Sequence, residues 1–273
     1  MSTDLDLSLV VLTGASGFVG SQALDYLLKQ NYRVLAPVRS VSRLSYQKAL
    51  YENTPYAARI QYVEVPDQSV PSAFDNILTG AEAIIHNATI DPRVPAVAAE
   101  VPEKLITPVV DMAKAIFLAA LEVPSIKRFV YVGSSVSVVN GDILDGKRFT
   151  EEDWTGVTVE DAVRAGGGVV AYTAAKTLAE KKIWELTEER KPGFEVVVLN
   201  PPGMNNNPRF RAVRVLIPGQ RLSARACTKL RRPRVLVDLE RQASRALLME
   251  KKQQQSTLHR TATSCMPLMV FFE

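Results

Sequence analysis

The stretch that most constrains this chain is an apolar, β-branched run that ends in three spaced glycines: Ser8-Leu-Val-Val-Leu-Thr13, then Gly14-Ala-Ser-Gly17-Phe-Val-Gly20. An apolar run with no polar alternation reads as a strand buried on both faces. Behind it, Val19, Ala23, Leu24, Leu27 and Leu28 recur at helical spacing, which predicts a helix over 17–30. Gly14 permits the tight turn, Gly17 lets backbone approach a pyrophosphate, and Gly20 lets the helix pack close to the strand. The unpaired N–H groups at the helix start then face the phosphates. A glycine turn can be a short connection and nothing more. Its place between a buried strand and a helix predicts nucleotide binding instead. No lysine follows the last glycine, which excludes a P-loop.

The same grammar continues along the chain. Strands are predicted over 32–38, 60–65, 83–86, 128–132 and 194–199, and helices over 102–123 and 171–189. Continuous apolar strands separated by helices imply a parallel sheet covered on both faces, an α/β fold of doubly wound type. The 273 residues, 47% hydrophobic and 23% charged, are ordinary for a globular protein and exclude wholesale disorder or a disulfide scaffold. No uninterrupted apolar run reaches membrane-spanning length, and the acidic N-terminus lacks a signal pattern, so the expectation is a cytoplasmic protein with no membrane partner. Two cysteines, Cys227 and Cys265, and two histidines, His86 and His259, predict neither a disulfide nor a metal site.

Charge marks a boundary. Residues 1–203 carry 19 Lys+Arg against 25 Asp+Glu, and residues 204–273 carry 14 against 4. We therefore divide the chain into a dinucleotide-binding domain, 1–203, and an anomalous basic tail, 204–273. Three readings of the tail stand. It is expected to be a non-homologous end, as from a truncated or misspliced product, and so a remnant of a substrate region or disordered. The alternatives are a divergent, folded substrate lobe and a nucleic-acid-binding segment. The last lacks interleaved aromatic residues, so no nucleic-acid partner is expected.

The dinucleotide is chosen at the end of the second strand, where an NAD site places an acid for the ribose hydroxyl. Between Asp25 and Glu52 there is no Asp or Glu, whereas Arg39 directly follows the strand and Arg43 comes four residues later. A guanidinium fork suits a 2′-phosphate, so the expected cofactor is NADP(H). Asp67, just past the third strand, is placed either for the adenine edge or as a turn residue.

Tyr172-Thr-Ala-Ala-Lys176 puts a phenol and an ammonium on one helix face. A lysine beside a tyrosine, with a positive nicotinamide, would lower the phenol's pKa and make it a usable acid/base near neutrality. Ser134 and Ser135 lie at the carboxyl end of the fifth strand, where ligands bind in such sheets.

Together these segments resemble the extended short-chain dehydrogenase/reductase family, and within it the NADPH-dependent aldehyde and ketone reductases, such as dihydroflavonol reductase and the fungal methylglyoxal-type reductases. The likeness covers roughly residues 7–203. It rests on Thr13-Gly-Ala-Ser-Gly-Phe-Val-Gly20, Val38-Arg-Ser40, His86-Asn-Ala-Thr89, Arg128-Phe-Val-Tyr-Val-Gly-Ser-Ser135, Ala171-Tyr-Thr-Ala-Ala-Lys-Thr-Leu-Ala-Glu180 and Leu199-Asn-Pro-Pro202. The resemblance implies a Rossmann-type domain with Ser135, Tyr172 and Lys176 as the catalytic set and Ser134 in support. It also implies cofactor contacts from Ser16, Phe18 and Val19 of the glycine turn, from Ala88 and Thr89, from Tyr172 and Lys176, and from Pro201. The implied reaction is reduction of a small carbonyl substrate with Tyr172 as general acid. Alternatives are nucleotide-sugar epimerisation or dehydration, and a catalytically weak NADP(H)-binding protein. His86 is read as a hydrogen-bonded structural histidine. The chain departs from the family pattern at Met112 and Ala115, where a glycine and a relay asparagine are common, and at Ile90, where a proline is common.

Overall fold

The structure, a computed structural model, describes residues 7–91, 97–139 and 149–202. The basic tail, with His259, Cys227 and Cys265 and all three readings of it, lies outside the described residues.

Six parallel strands form one sheet: β1 (Leu9–Thr13), β2 (Arg33–Val38), β3 (Ile60–Glu64), β4 (Ala81–His86), β5 (Arg128–Val132) and β6 (Glu195–Leu199). Their spatial order is β3-β2-β1-β4-β5-β6. This is the order of a Rossmann-type doubly wound sheet, in which the direction of winding reverses between β1 and β4 and a crevice opens at the carboxyl ends there. The expected fold class is thus observed.

Both faces of the sheet are dry, which is why its strands read as unbroken apolar runs. Val10, Leu12, Val34, Ala36, Ile85 and Val130 pack with Leu24, Leu27 and Leu28 of α1 (Phe18–Lys29) on one face. The intervening Val11, Leu35, Ile84, Phe129 and Tyr131 join the core under the opposite helices. Those are α3 (Thr107–Leu121) and α5 (Gly168–Arg190), and the rings of Phe117, Phe129 and Phe194 meet at centroid distances of 5.1–6.1 Å where the helices cover β5 and β6. Side chains buried this completely contribute roughly 1.5–3 kcal/mol each. At the edge, β3 is only partly buried. None of the described helices is long and apolar enough to cross a membrane.

Two short helices lack an apolar period, and one predicted helix is broken. Short α2 (Ser45–Tyr51) follows a 3₁₀ turn at Val41–Leu44, and α4 (Val159–Arg164) is capped by Thr158, whose hydroxyl accepts from the Asp161 N–H at 3.1 Å. The helix predicted over 102–123 is two pieces, a wide π-helical turn at Pro102–Ile106 and then α3. Pro108 has no N–H to bond backwards and its ring crowds the preceding turn, so the regular helix restarts there.

Candidate functional site

The crevice begins with backbone. Gly14 sits at φ +67°, where side chains are strained, and a Cβ there would lie 3.0 Å from the Ala88 nitrogen. A Cβ on Gly20 would lie 2.0 Å from the Gly14 carbonyl oxygen. The close approach that Gly20 permits is therefore to the end of its own loop, and it pulls the first turn of α1 onto that loop. Gly17 sits at the N-cap position, its N–H donates to the Gly14 carbonyl at 3.0 Å, and no side chain caps the helix. The first N–H groups of α1 thus have no side-chain cap, an arrangement that suits an anion. From α2, the buried Gln47 amide donates to the Ala15 carbonyl at 2.8 Å and props the loop from behind. No periodic pattern announces that contact.

The floor of the crevice is a hydroxyl. Thr13 Oγ1, at the end of β1, accepts from the N–H groups of Asn87 and Ala88, both at 3.0 Å, and lies 2.9 Å from His86 Nδ1 at the end of β4. With two N–H donors already on the oxygen, its single proton goes to Nδ1. His86 is therefore neutral, with its own proton on Nε2. The ring is 1% exposed and stacks on Tyr131 at 5.9 Å. Burial, reinforced by the Lys176 charge, brings its pKa down to about 3. This geometry agrees with the structural reading of His86.

The polar side chains cluster on the far side of the crevice. Burial pushes the Tyr172 phenol above its ordinary value, against a hydrogen bond from the Ser134 hydroxyl. Lys176, 3% exposed, donates its ammonium to the Val132 carbonyl at 2.8 Å and stands over the Tyr131 ring at 5.3 Å. Burial brings this lysine down to about 8, opposed by Glu180. The expectation that Lys176 lowers the phenol's pKa is not met by the chain's own groups. The ammonium is engaged with a backbone carbonyl, and desolvation sets the direction for Tyr172. At neutral pH the phenol keeps its proton, the form in which it can give one.

One cavity of about 670 Å³ joins these parts. Gly14, Ser16, Gly17, Phe18, Val19, Arg39, Asp67, Ala88, Thr89, Ser134, Ser135, Tyr172, Lys176 and Pro201 all line it. Gly20 lies behind the loop, and Arg43, exposed on the 3₁₀ turn, is not among the lining residues. Asp67 reaches the cavity, but its Oδ1 accepts from the N–H and hydroxyl of Ser69 at 2.9 and 2.6 Å, a turn-forming pattern. Glu64 is an acid on this side that the sequence around Arg39 does not reveal. It ends β3 beside Val38, and its carboxylate accepts from the Val41 N–H at 2.8 Å.

The sequence pattern of the NAD dependent epimerase/dehydratase family matches residues 10–205. The chain belongs to that family. Epimerase/dehydratase relatives include an uncharacterized oxidoreductase of Schizosaccharomyces pombe, 36% identical over 196 residues that make up 71% of this chain and 57% of that protein. Vestitone reductase of Medicago sativa is 33% identical over 199 residues, again 71% of this chain and 57% of the relative. Among solved structures, yeast methylglyoxal/isovaleraldehyde reductase Gre2 complexed with NADPH is 26% identical with a TM-score of 0.61, over 75% of this chain and 62% of that one. The chain thus spans less than two thirds of the length of these relatives. Those relatives carry oxidoreductase or reductase names.

Proposed function

We propose that this chain reduces an aldehyde or ketone with NADPH. The observation that carries the reading is the convergence, on one cavity, of the glycine loop, Arg39, Lys176 and a protonated Tyr172 hydrogen-bonded to Ser134. The residues present fit a dinucleotide. The start of α1 offers N–H groups with no side-chain cap, and Arg39 lines the crevice with no acid adjoining it in sequence. NADPH, when bound, supplies the hydride. Arg39 would hold the 2′-phosphate and the α1 N-terminus the pyrophosphate. Lys176 would hold the ribose hydroxyls at the nicotinamide end. The carbonyl oxygen would accept from a serine hydroxyl, Ser135 on the family pattern and Ser134 on the geometry around the phenol, while Tyr172 gives it a proton.

The wall beside these groups is apolar. Val169 lies one turn before Tyr172 on α5, and Pro108 and Met112 lie one turn apart on α3, so a carbonyl with aliphatic or aromatic substituents suits it. The vestitone and methylglyoxal/isovaleraldehyde reductases are relatives of that chemistry by name. The test follows NADPH absorbance with a panel of aldehydes, ketones and flavanonols, comparing wild type with Tyr172→Phe. Consumption by the wild type alone is expected. Equal rates in the two proteins remove Tyr172 as the acid. Turnover of a nucleotide sugar with no net NADPH consumption replaces reduction by epimerisation.

A further inference from the structure

Glu180 is a buried acid that the chemistry above does not use. It lies one turn beyond Lys176 on α5 and is 5% exposed. Burial pushes its carboxyl above the ordinary value, opposed first by the Asn200 side-chain amide, from which both its oxygens accept at 3.1 Å, and then by the Trp184 side chain. Asn200 heads the segment whose prolines, Pro201 and Pro202, line the cavity, and the Pro201 carbonyl accepts from the Ser135 N–H at 3.0 Å. The amide has room because residue 133 is glycine: a Cβ there would lie 2.1 Å from Asn200 Oδ1. A carboxylate without partners would be costly in this core, so its network of donors is a feature of construction.

We propose that Glu180 is a positioning residue: its carboxylate keeps the buried Lys176 cationic, and its bridge to Asn200 fixes the Pro201–Pro202 wall of the cleft. The proposal rests on the reading of Lys176 as a cofactor-holding group. The surroundings of the lysine single out this acid. From β5 the Tyr131 ring and the Val132 carbonyl meet it, Tyr172 lies one turn back on its own helix, and its charge acts on His86 at the end of β4. Burial holds both tyrosines protonated and His86 neutral. Among the described residues, Glu180 is the acid that supports the lysine's charge against burial. Its removal leaves the ammonium with a carbonyl and an aromatic face.

The test uses the full chain with 13Cε-labelled lysine and an NMR pH titration, the Lys176 signal being assigned by its loss in Lys176→Met. In Glu180→Gln, the Lys176 midpoint is expected to fall by about one unit, the effect of losing a nearby opposite charge. The alkaline limb of kcat/KM for NADPH should move down with it, and Glu180→Asp should return most of the shift. A Lys176 midpoint unchanged in Glu180→Gln overturns the proposal. If Glu180→Gln does not fold, the wild-type titration decides, because a lysine already neutral at pH 7 contradicts it. A wild type that oxidises NADPH with no carbonyl on the panel overturns the reductase reading instead, and the lysine titration still decides the role of Glu180.

Discussion

The two sides of the crevice are built by different means. The β1–α1 side is backbone: a left-handed glycine, a carbonyl pressed against the first turn of a helix, and N–H groups left without a cap. The β5–α5 side is made of buried side chains, Tyr131, Lys176, Glu180 and Ser134, drawn together from distant parts of the chain. The first side depends on what its residues lack and leaves no room for an added carbon at Gly20 and little at Gly14. The second depends on charge and protons, and can lose a function while keeping its shape.

Substitutions that separate shape from chemistry break that contrast most directly. Tyr172→Phe removes only a hydroxyl, and the expected loss in kcat is about 10²–10⁴-fold, the usual contribution of a general acid. The NADPH-induced rise in melting temperature should remain. Gly20→Ala should do the reverse. It adds a methyl where 2.0 Å is available, with an expected destabilisation of about 1–3 kcal/mol in denaturant melts and loss of the NADPH shift. A Gly20→Ala protein that binds NADPH normally would show that the loop yields.

The floor shared by both sides responds to acid. His86 has a folded pKa of about 3, below its unfolded value near 6.5, so the unfolded chain binds the extra proton between them. Stability from this group is complete above pH 6.5 and declines as pH falls toward 3, at about 1.4 kcal/mol per unit. Melts between pH 7 and 5 should show a steeper acid loss in wild type than in His86→Gln. At the outer rim of the backbone side the effect is smallest: Arg39→Ala should weaken NADPH binding about tenfold, as for one exposed charged contact, and leave NADH binding unchanged. Arg43→Ala should change neither, since Arg43 does not line the cavity.

The same contrast explains which parts are legible in the sequence. The strand, turn and helix at 8–30 are bonded neighbours, so their spacing carries the whole arrangement. The Tyr172–Lys176 pair needs one helical turn and is equally visible. Contacts between a side chain and remote backbone leave no period to find: Gln47 to Ala15, Glu64 to Val41, and the clasp of Glu180 and Asn200. The serine beside the phenol could not be chosen from sequence alone, because adjacent residues on a strand end point apart and only the turn that follows decides which one faces Tyr172. A signal was available for α4, where Thr158 and Asp161 have capping-box spacing, but its single helical turn offered no apolar periodicity.

The position of β1 has a kinetic consequence. It is made before the other five strands, yet it lies at the centre of the sheet, and one of its two neighbours is β4, with Leu9 beside Ala81. During synthesis that edge stays open until the chain has grown through the intervening two strands and their helices. Long-range parallel pairing of this kind is slow and exposes sticky apolar edges on the way. The glycine loop can thus form in outline early, but the clasp of Thr13 across to His86 waits for the later strand, and refolding should be limited by that closure.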